Sequence, residues 1–208
     1  FIGKFSKNLS KNNTITKLLS LLDKDNALKK KYKIVIKKEI PSQSGMGGGS
    51  MNAANLLSYF YKKKLINMKQ LKKYSLKIGS DVILGLNSRP KILYKDGSIK
   101  EIANIKKYHI LIIKPFFGCS TKKIYSLNKT FSKSEFNKTK KNIVKNVIIK
   151  GKNDLEKSAF KLYPALKKIK NLLDKNKEAN FVRMTGSGSA IIMYFNSNKF
   201  AKNALKIY

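Results

Sequence analysis

The chain has 208 residues; 46 are Lys or Arg and 11 are Asp or Glu, giving a formal charge of +35. A hydrophobic content of 42% excludes a disordered polyelectrolyte and suffices for one large domain or two small ones. One cysteine and one histidine exclude a disulfide framework and any Cys-based or multi-His metal site, and no apolar run reaches membrane-spanning length.

The charge invites a nucleic-acid reading, but only Arg89 and Arg183 carry the guanidinium fork that reads bases and grips phosphates in pairs. The lysines are spread along the chain among many Asn and Ile residues, as A/T-biased coding would produce. A nucleic acid as primary partner and a membrane partner are therefore not expected, and a reducing, cytoplasmic setting is. The excess charge favours anionic substrates, in a way that salt weakens.

The chain opens on Phe1 in an already patterned segment and closes on an uncapped helical run over 201–208, so both ends are expected to be cut. Asn13 or Thr14 can cap a helix with Ile15, Leu18, Leu19 and Leu22 on one face. Residues 32–40 alternate in character and read as a strand stopped by Pro41. After a glycine-rich loop, Ala53, Leu56, Leu57 and Phe60 recur at helical spacing over 50–63. Asn67 can cap a further helix, with Leu71, Ser75 and Ile78 inward and Gly79 as its stop. Asp96-Gly97 between residues 91–94 and 98–102 is a hairpin signal, and 109–113 is a short apolar strand ending before Pro115. Residues 132–141 are polar and Lys-rich, a loop or exposed helix. Residues 154–173 read as helix interrupted at Pro164, and 181–184 and 190–195 as strands around a second glycine turn, Thr185-Gly186-Ser187-Gly188-Ser189. Strands, hairpins and helices mixed in this order imply an α+β fold.

The loop reads Pro41-Ser42-Gln43-Ser44-Gly45-Met46-Gly47-Gly48-Gly49-Ser50-Met51. Glycine removes side chains from between the backbone amides and an approaching group, and a helix N-terminus favours negative charge. A phosphate cradle is expected here. A P-loop is excluded because no Lys follows the glycines, and the dinucleotide fingerprint fails at Ser50, where its last glycine belongs. A flexible linker is the competing reading, disfavoured by the patterned elements on both sides. The Ser50 hydroxyl suits a helix cap, a Mg²⁺ ligand, or both.

Asp81, after a helix stop and before an apolar run, suits a general base on a substrate hydroxyl, although spacing alone favours an ordinary cap or turn aspartate. Gly186 and Gly188 offer either a second set of amides or a plain turn. Tyr125 is a stacking face or, by spacing alone, core. His109 reads as structural, and Cys119 has no neighbouring base to make it a nucleophile.

The loop resembles the phosphate-binding motif of the GHMP kinases, the family of galactokinase and of homoserine and mevalonate kinases. Further segments agree with that family in the same order. They are Gly79-Ser80-Asp81-Val82, residues 115–121, Asn153-Asp154-Leu155-Glu156, and Arg183-Met184-Thr185-Gly186-Ser187-Gly188-Ser189. The triple glycine with Ser50 and Met51-Asn52-Ala53-Ala54 is most similar to the branch that phosphorylates cytidylylated methylerythritol.

The resemblance implies a two-lobed fold, with an ATP-binding lobe over 1–105, a second lobe over 106–208, and the active site between them. It implies ATP-dependent phosphorylation of a substrate 2-hydroxyl in non-mevalonate isoprenoid synthesis, with Mg²⁺. It places ATP phosphates on Pro41, Ser42, Gln43, Ser44, Gly45, Met46, Gly47, Gly48, Gly49, Ser50 and Met51, and adenine near Lys37 and Lys38. It makes Asp81 the catalytic base and puts Thr121, Tyr125, Gly186, Ser187 and Gly188 on the substrate. A homoserine- or mevalonate-type kinase and a Lys-rich nucleic-acid binder are the alternatives. The family's Pro-x-Lys-x-Asn strand and following Tyr-His pair have no counterpart here, so these 208 residues alone are expected to be inactive. Met51 stands where the family often has Ser, and Asn52 where it often has Asp.

Overall fold

The structure, a computed structural model, describes residues 1–7, 9–103, 105–133 and 148–208. It divides into two compact units: Phe1–Ser42 with Gly47–Ile102, and Gln43–Met46 with Ala103–Tyr208. Residues 134–141 of the Lys-rich stretch lie outside the described residues.

In the first unit, Asn13 caps α1 (Thr14–Lys24) by accepting from the Ile15 and Thr16 amides, and the Thr16 hydroxyl accepts from the Asn13 amide in return. Ile15, Leu18 and Leu22 face inward at the expected spacing. They meet Ala53, Ala54, Leu57 and Phe60 of α2 (Gly48–Lys62) and Leu71 and Tyr74 of α3 (Met68–Ile78) in one core. Ser75 of α3 is buried, as the pattern predicts, and its hydroxyl back-bonds to the Lys72 carbonyl. Asn67 caps α3 through a reciprocal pair of bonds with Gln70, both 2.9 Å. Asn67→Ala is expected to lower unfolding free energy by about 1 kcal/mol, read as an earlier urea midpoint at unchanged slope; an unchanged midpoint would show that the cap does not hold this helix.

One expectation changes. Residues 32–40 do not form a ladder strand: among the described residues their only bridge is Lys37 to Ile2, parallel, with Ile2 N–H donating to the Ile36 carbonyl at 2.9 Å and Lys38 N–H to the Ile2 carbonyl at 2.7 Å. Alternation records that Ile34 and Ile36 pack on the core while Lys33, Val35 and Lys37 face solvent, which extended chain satisfies without a sheet. The apolar run after Asp81 is a single helical turn, α4 (Ser80–Leu84), entered through Gly79 and burying Val82. The hairpin is present as β1 (Lys91–Leu93) and β2 (Ile99–Glu101), turning at Gly97 with φ +80°.

The second unit is built on an antiparallel sheet in the order β3 (His109–Ile113), β5 (Ile191–Phe195), β4 (Phe181–Met184). Ile191, Met193 and Phe195 point to one face, where Leu111, Ile113 and Met184 flank them in register. Leu155 and Ala159 of α6 (Leu155–Leu162), Leu166 and Leu173 of α7 (Pro164–Leu173) and Ala204 of α8 (Asn198–Ile207) belong to the same core. Pro164 divides α6 from α7 as expected. Tyr163 at that break stacks on Phe117, and its hydroxyl accepts from the Ser120 amide at 2.9 Å, at the start of α5 (Thr121–Leu127). Both arginines serve the fold. Arg89 pairs with Glu101 at 2.9 Å, and Arg183 donates to the carbonyls of Ile148, Ile149 and Gly151.

Candidate active site

The glycine loop is shared between the units. Residues Gln43–Met46 pack in the second, and Gly47–Ile102, which includes the rest of the loop, in the first. Gly47, in the left-handed region at φ +66°, is the N-cap residue of α2, so the helix begins at Gly48, two residues before the expected Ser50. Ser50 lies inside the first turn and does not cap it. As a glycine, the N-cap residue has no side chain with which to cap this helix. The first-turn amides lack intrahelical acceptors four residues back and stand at the positive end of the dipole. The space is open: a Cβ on Gly47 would meet nothing within 4 Å, and one on Gly49 would meet only Thr14.

Lys38 borders this helix start. Its Nζ is 3.4 Å from where a Cβ on Gly48 would stand, and its amine has no ion pair among the described residues. Lys38 is buried, and that burial pulls its ammonium pKa below the ordinary lysine value. Lys37, by contrast, is exposed and paired with Glu39 at 2.6 Å.

Asp81 is in the first turn of α4, exposed, and among the described residues its carboxylate has no hydrogen-bond or ion-pair partner. Just after α4, Gly85 packs against α2: a Cβ there would be 2.6 Å from Met51 Cε and 2.9 Å from Ala54 Cβ. The Met51 side chain therefore acts in packing.

In the second unit the loop's first half is fixed by backbone bonds. The Gln43 carbonyl accepts from the amides of Cys119 at 3.0 Å and Ser189 at 3.1 Å, and the Ser44 carbonyl accepts from the Ala190 amide at 3.0 Å. The Thr185 hydroxyl donates to the Gly45 carbonyl at 3.1 Å. The two glycine turns are in direct contact: Gly45, at φ +72°, approaches so closely that a Cβ would fall 2.0 Å from the Thr185 oxygen. The Thr121 and Ser187 hydroxyls are bonded to each other at 2.7 Å.

Tyr125 is 53% exposed, so it is not core. It lines a cavity of about 490 Å³ with Asn153, Arg183, Thr185, Gly186 and Tyr194. Cys119 is buried, which pushes its thiol up to about 11 despite the neighbouring Lys114, so it remains a neutral thiol and no nucleophile at neutral pH. His109 is an exposed strand residue opposite Phe195.

Sequence reasoning missed the Thr121–Ser187 bond and the seating of residues 43–46 on the second glycine turn. The only available signal was that both glycine runs lack side chains, as close backbone approach requires.

The model of the GHMP kinase N-terminal domain matches residues 13–90, and that of the C-terminal domain matches 141–207. A 4-diphosphocytidyl-2-C-methyl-D-erythritol kinase of Pelagibacter ubique is 52% identical over 100% of this chain and 75% of its own length. One of Thermodesulfovibrio yellowstonii is 32% identical over 95% of this chain and 74% of its own. Among solved structures, a 4-(cytidine 5'-diphospho)-2C-methyl-D-erythritol kinase superposes with a TM-score of 0.76 at 22% identity, covering 99% of this chain and 77% of that one. A homoserine kinase from Cytophaga hutchinsonii shares the fold at a TM-score of 0.64 and 15% identity, covering 96% and 72%. The chain belongs to the GHMP kinase family, ATP-dependent small-molecule kinases, and within it to the 4-diphosphocytidyl-2-C-methyl-D-erythritol kinases.

Proposed function

We propose that the protein transfers the γ-phosphoryl group of ATP to the 2-hydroxyl of 4-diphosphocytidyl-2-C-methyl-D-erythritol, a step of isoprenoid precursor synthesis. Identity of 52% along the whole chain to a kinase of that name carries the reading. Phosphoryl transfer asks a protein for positioning and charge neutralisation more than for covalent help. The uncapped amides at the start of α2 and its dipole receive the β- and γ-phosphates, with residues 41–51 as the cradle. Lys38 adds a cation beside the same helix start, on the nucleotide. Asp81, with no partner of its own among the described residues, orients the 2-hydroxyl and takes its proton. Thr121 and Ser187, already bonded to each other, and the backbone of Gly186 and Gly188 hold the substrate. Tyr125 offers its ring to the cytosine.

ATP is taken as its magnesium complex. Among the described residues no group of three His, Cys, Asp or Glu side chains forms a metal cage. A Mg²⁺ brought by ATP would take most of its ligands from phosphates and water, and the Ser50 hydroxyl would be the protein group to hold it. No helix among the described residues is long and apolar enough to cross a membrane.

The substrate is tested by offering the cytidylyl substrate, homoserine and mevalonate in turn to the intact protein and following ADP release. ADP is expected with the first alone; release with homoserine or mevalonate instead would transfer the protein to another branch. Tyr125→Ala is expected to raise KM for the cytidylyl substrate about 5- to 150-fold, the range for losing one base–aromatic stack of roughly 1–3 kcal/mol. KM for ATP should stay within a factor of about two. An unchanged KM for the cytidylyl substrate would remove Tyr125 from the site.

A further inference from the structure

Asn153-Asp154-Leu155-Glu156 stands at the entry to α6, and two of its side chains reach the backbone of Met184, at the end of β4, and of Gly186 in the second glycine turn. The Asn153 Nδ2 group donates to the Met184 carbonyl at 2.9 Å and to the Gly186 carbonyl at 2.7 Å. Its Oδ1 accepts from the Leu155 amide at 3.1 Å, which fixes which end of the amide faces the turn. Glu156 Oε1 accepts from the Met184 amide at 2.8 Å. Both backbone groups of Met184 and the carbonyl of Gly186 are thus held from one helix entry. Thr185, between those two residues, donates its hydroxyl to the Gly45 carbonyl, and its own carbonyl accepts from the Gly188 amide. Ser187, the next residue, carries the bond to Thr121.

We propose that Asn153 and Glu156 are positioning residues that set nucleotide affinity at a distance, by fixing residues 184–186 and through them the first half of the phosphate loop, Gln43–Met46. Neither side chain needs to touch ATP. Their leverage comes from the close approach of the two glycine turns: a Cβ on Gly186 would stand 2.9 Å from the Gly45 oxygen. A small displacement of residue 186 therefore has to be taken up by the loop. Burial raises the Glu156 pKa, opposed by the Met184 amide and by Lys170 and Arg183. An acceptor at Glu156, charged or neutral, is what Met184 requires.

The proposal rests on the nucleotide reading above and is tested apart from it in the intact protein. ATP binding is first titrated in the wild type; no binding there would sink that reading itself. Asn153→Asp keeps the size but turns a double donor toward two carbonyls into an acceptor. It is expected to weaken ATP binding and raise KM for ATP at least about tenfold, with kcat within about threefold. Glu156→Ala should do the same, while Glu156→Gln, which keeps an acceptor, should return KM to within about threefold of wild type. Asn153→Ser, with one donor, serves if Asn153→Asp does not fold and should fall between. Lower melting temperatures with unchanged KM for ATP would reduce the pair to a structural role. A collapse of kcat at constant KM, or Glu156→Gln behaving like Glu156→Ala, would also overturn the proposal.

Discussion

Asp81→Asn is expected to lower turnover by about 10²-fold or more while leaving ATP affinity and thermal stability nearly unchanged. The size of the first effect is that of a positioned general base. The absence of the others follows from the surroundings of the residue. The Asp81 carboxylate is exposed and has no hydrogen-bond or ion-pair partner among the described residues, so an isosteric amide breaks no contact there. A surface change of that kind moves stability by roughly 0.5 kcal/mol or less. Initial rates of ADP release, a nucleotide titration and a melting curve on the same preparation separate the three. If turnover were unchanged, Asp81 would be an ordinary turn aspartate, the reading that spacing alone favours. If turnover and melting temperature fell together, the carboxylate would be holding structure that its exposed position does not suggest.

Gly45→Ala is expected to be strongly destabilising. The added Cβ would lie 2.0 Å from the Thr185 oxygen and 2.8 Å from the Gly188 nitrogen, all backbone atoms that no rotamer change can move aside. The residue is also at φ +72°, where a side chain costs roughly 1–2 kcal/mol on its own. Gly47 provides the control. Its φ is +66°, but a Cβ there would meet nothing within 4 Å, so Gly47→Ala carries the conformational cost alone. Denaturant unfolding should show Gly45→Ala losing several kcal/mol and Gly47→Ala about 1–2 kcal/mol. Gly45→Ala should also raise KM for ATP by more than about tenfold where it folds. Equal losses for the two variants would mean that contact between the glycine turns does not hold the loop.

Much of this architecture is legible in the sequence, for local reasons. Asn13 and Asn67 reveal helix starts because an Asx cap needs only the next few amides. Asp96-Gly97 reveals a hairpin because the turn itself demands a positive φ. Pro164 reveals a break because a missing N–H cannot be supplied from elsewhere. The failures are equally physical. Alternation over residues 32–40 is what a strand needs, but it is also what any extended segment with one wet side shows. The helix starts at Gly48 and not Ser50 because Gly47 adopts the left-handed conformation, which no periodicity records.

The site was legible as a set of motifs and not as an arrangement. The expectation of a phosphate cradle follows from glycines before a helix. The seating of residues 43–46 against residues 119 and 185–190 joins positions more than 70 apart in sequence, and short-range patterns carry no trace of it. Ser187 could be read as a turn residue but not as the partner of Thr121. Asn153 and Glu156 stood out only through family likeness, because a side chain that serves another segment's backbone leaves no pattern in its own.

The most direct measurement is the fate of the phosphate. The intact protein is incubated with magnesium ATP and 4-diphosphocytidyl-2-C-methyl-D-erythritol, and the mixture is followed by phosphorus NMR and mass spectrometry. One new phosphomonoester is expected on the 2-hydroxyl, appearing in step with ADP and absent when the cytidylyl substrate is omitted. ADP formed without a phosphorylated product, or a phosphate on a different hydroxyl, would contradict the assignment of this chain as the kinase for that position.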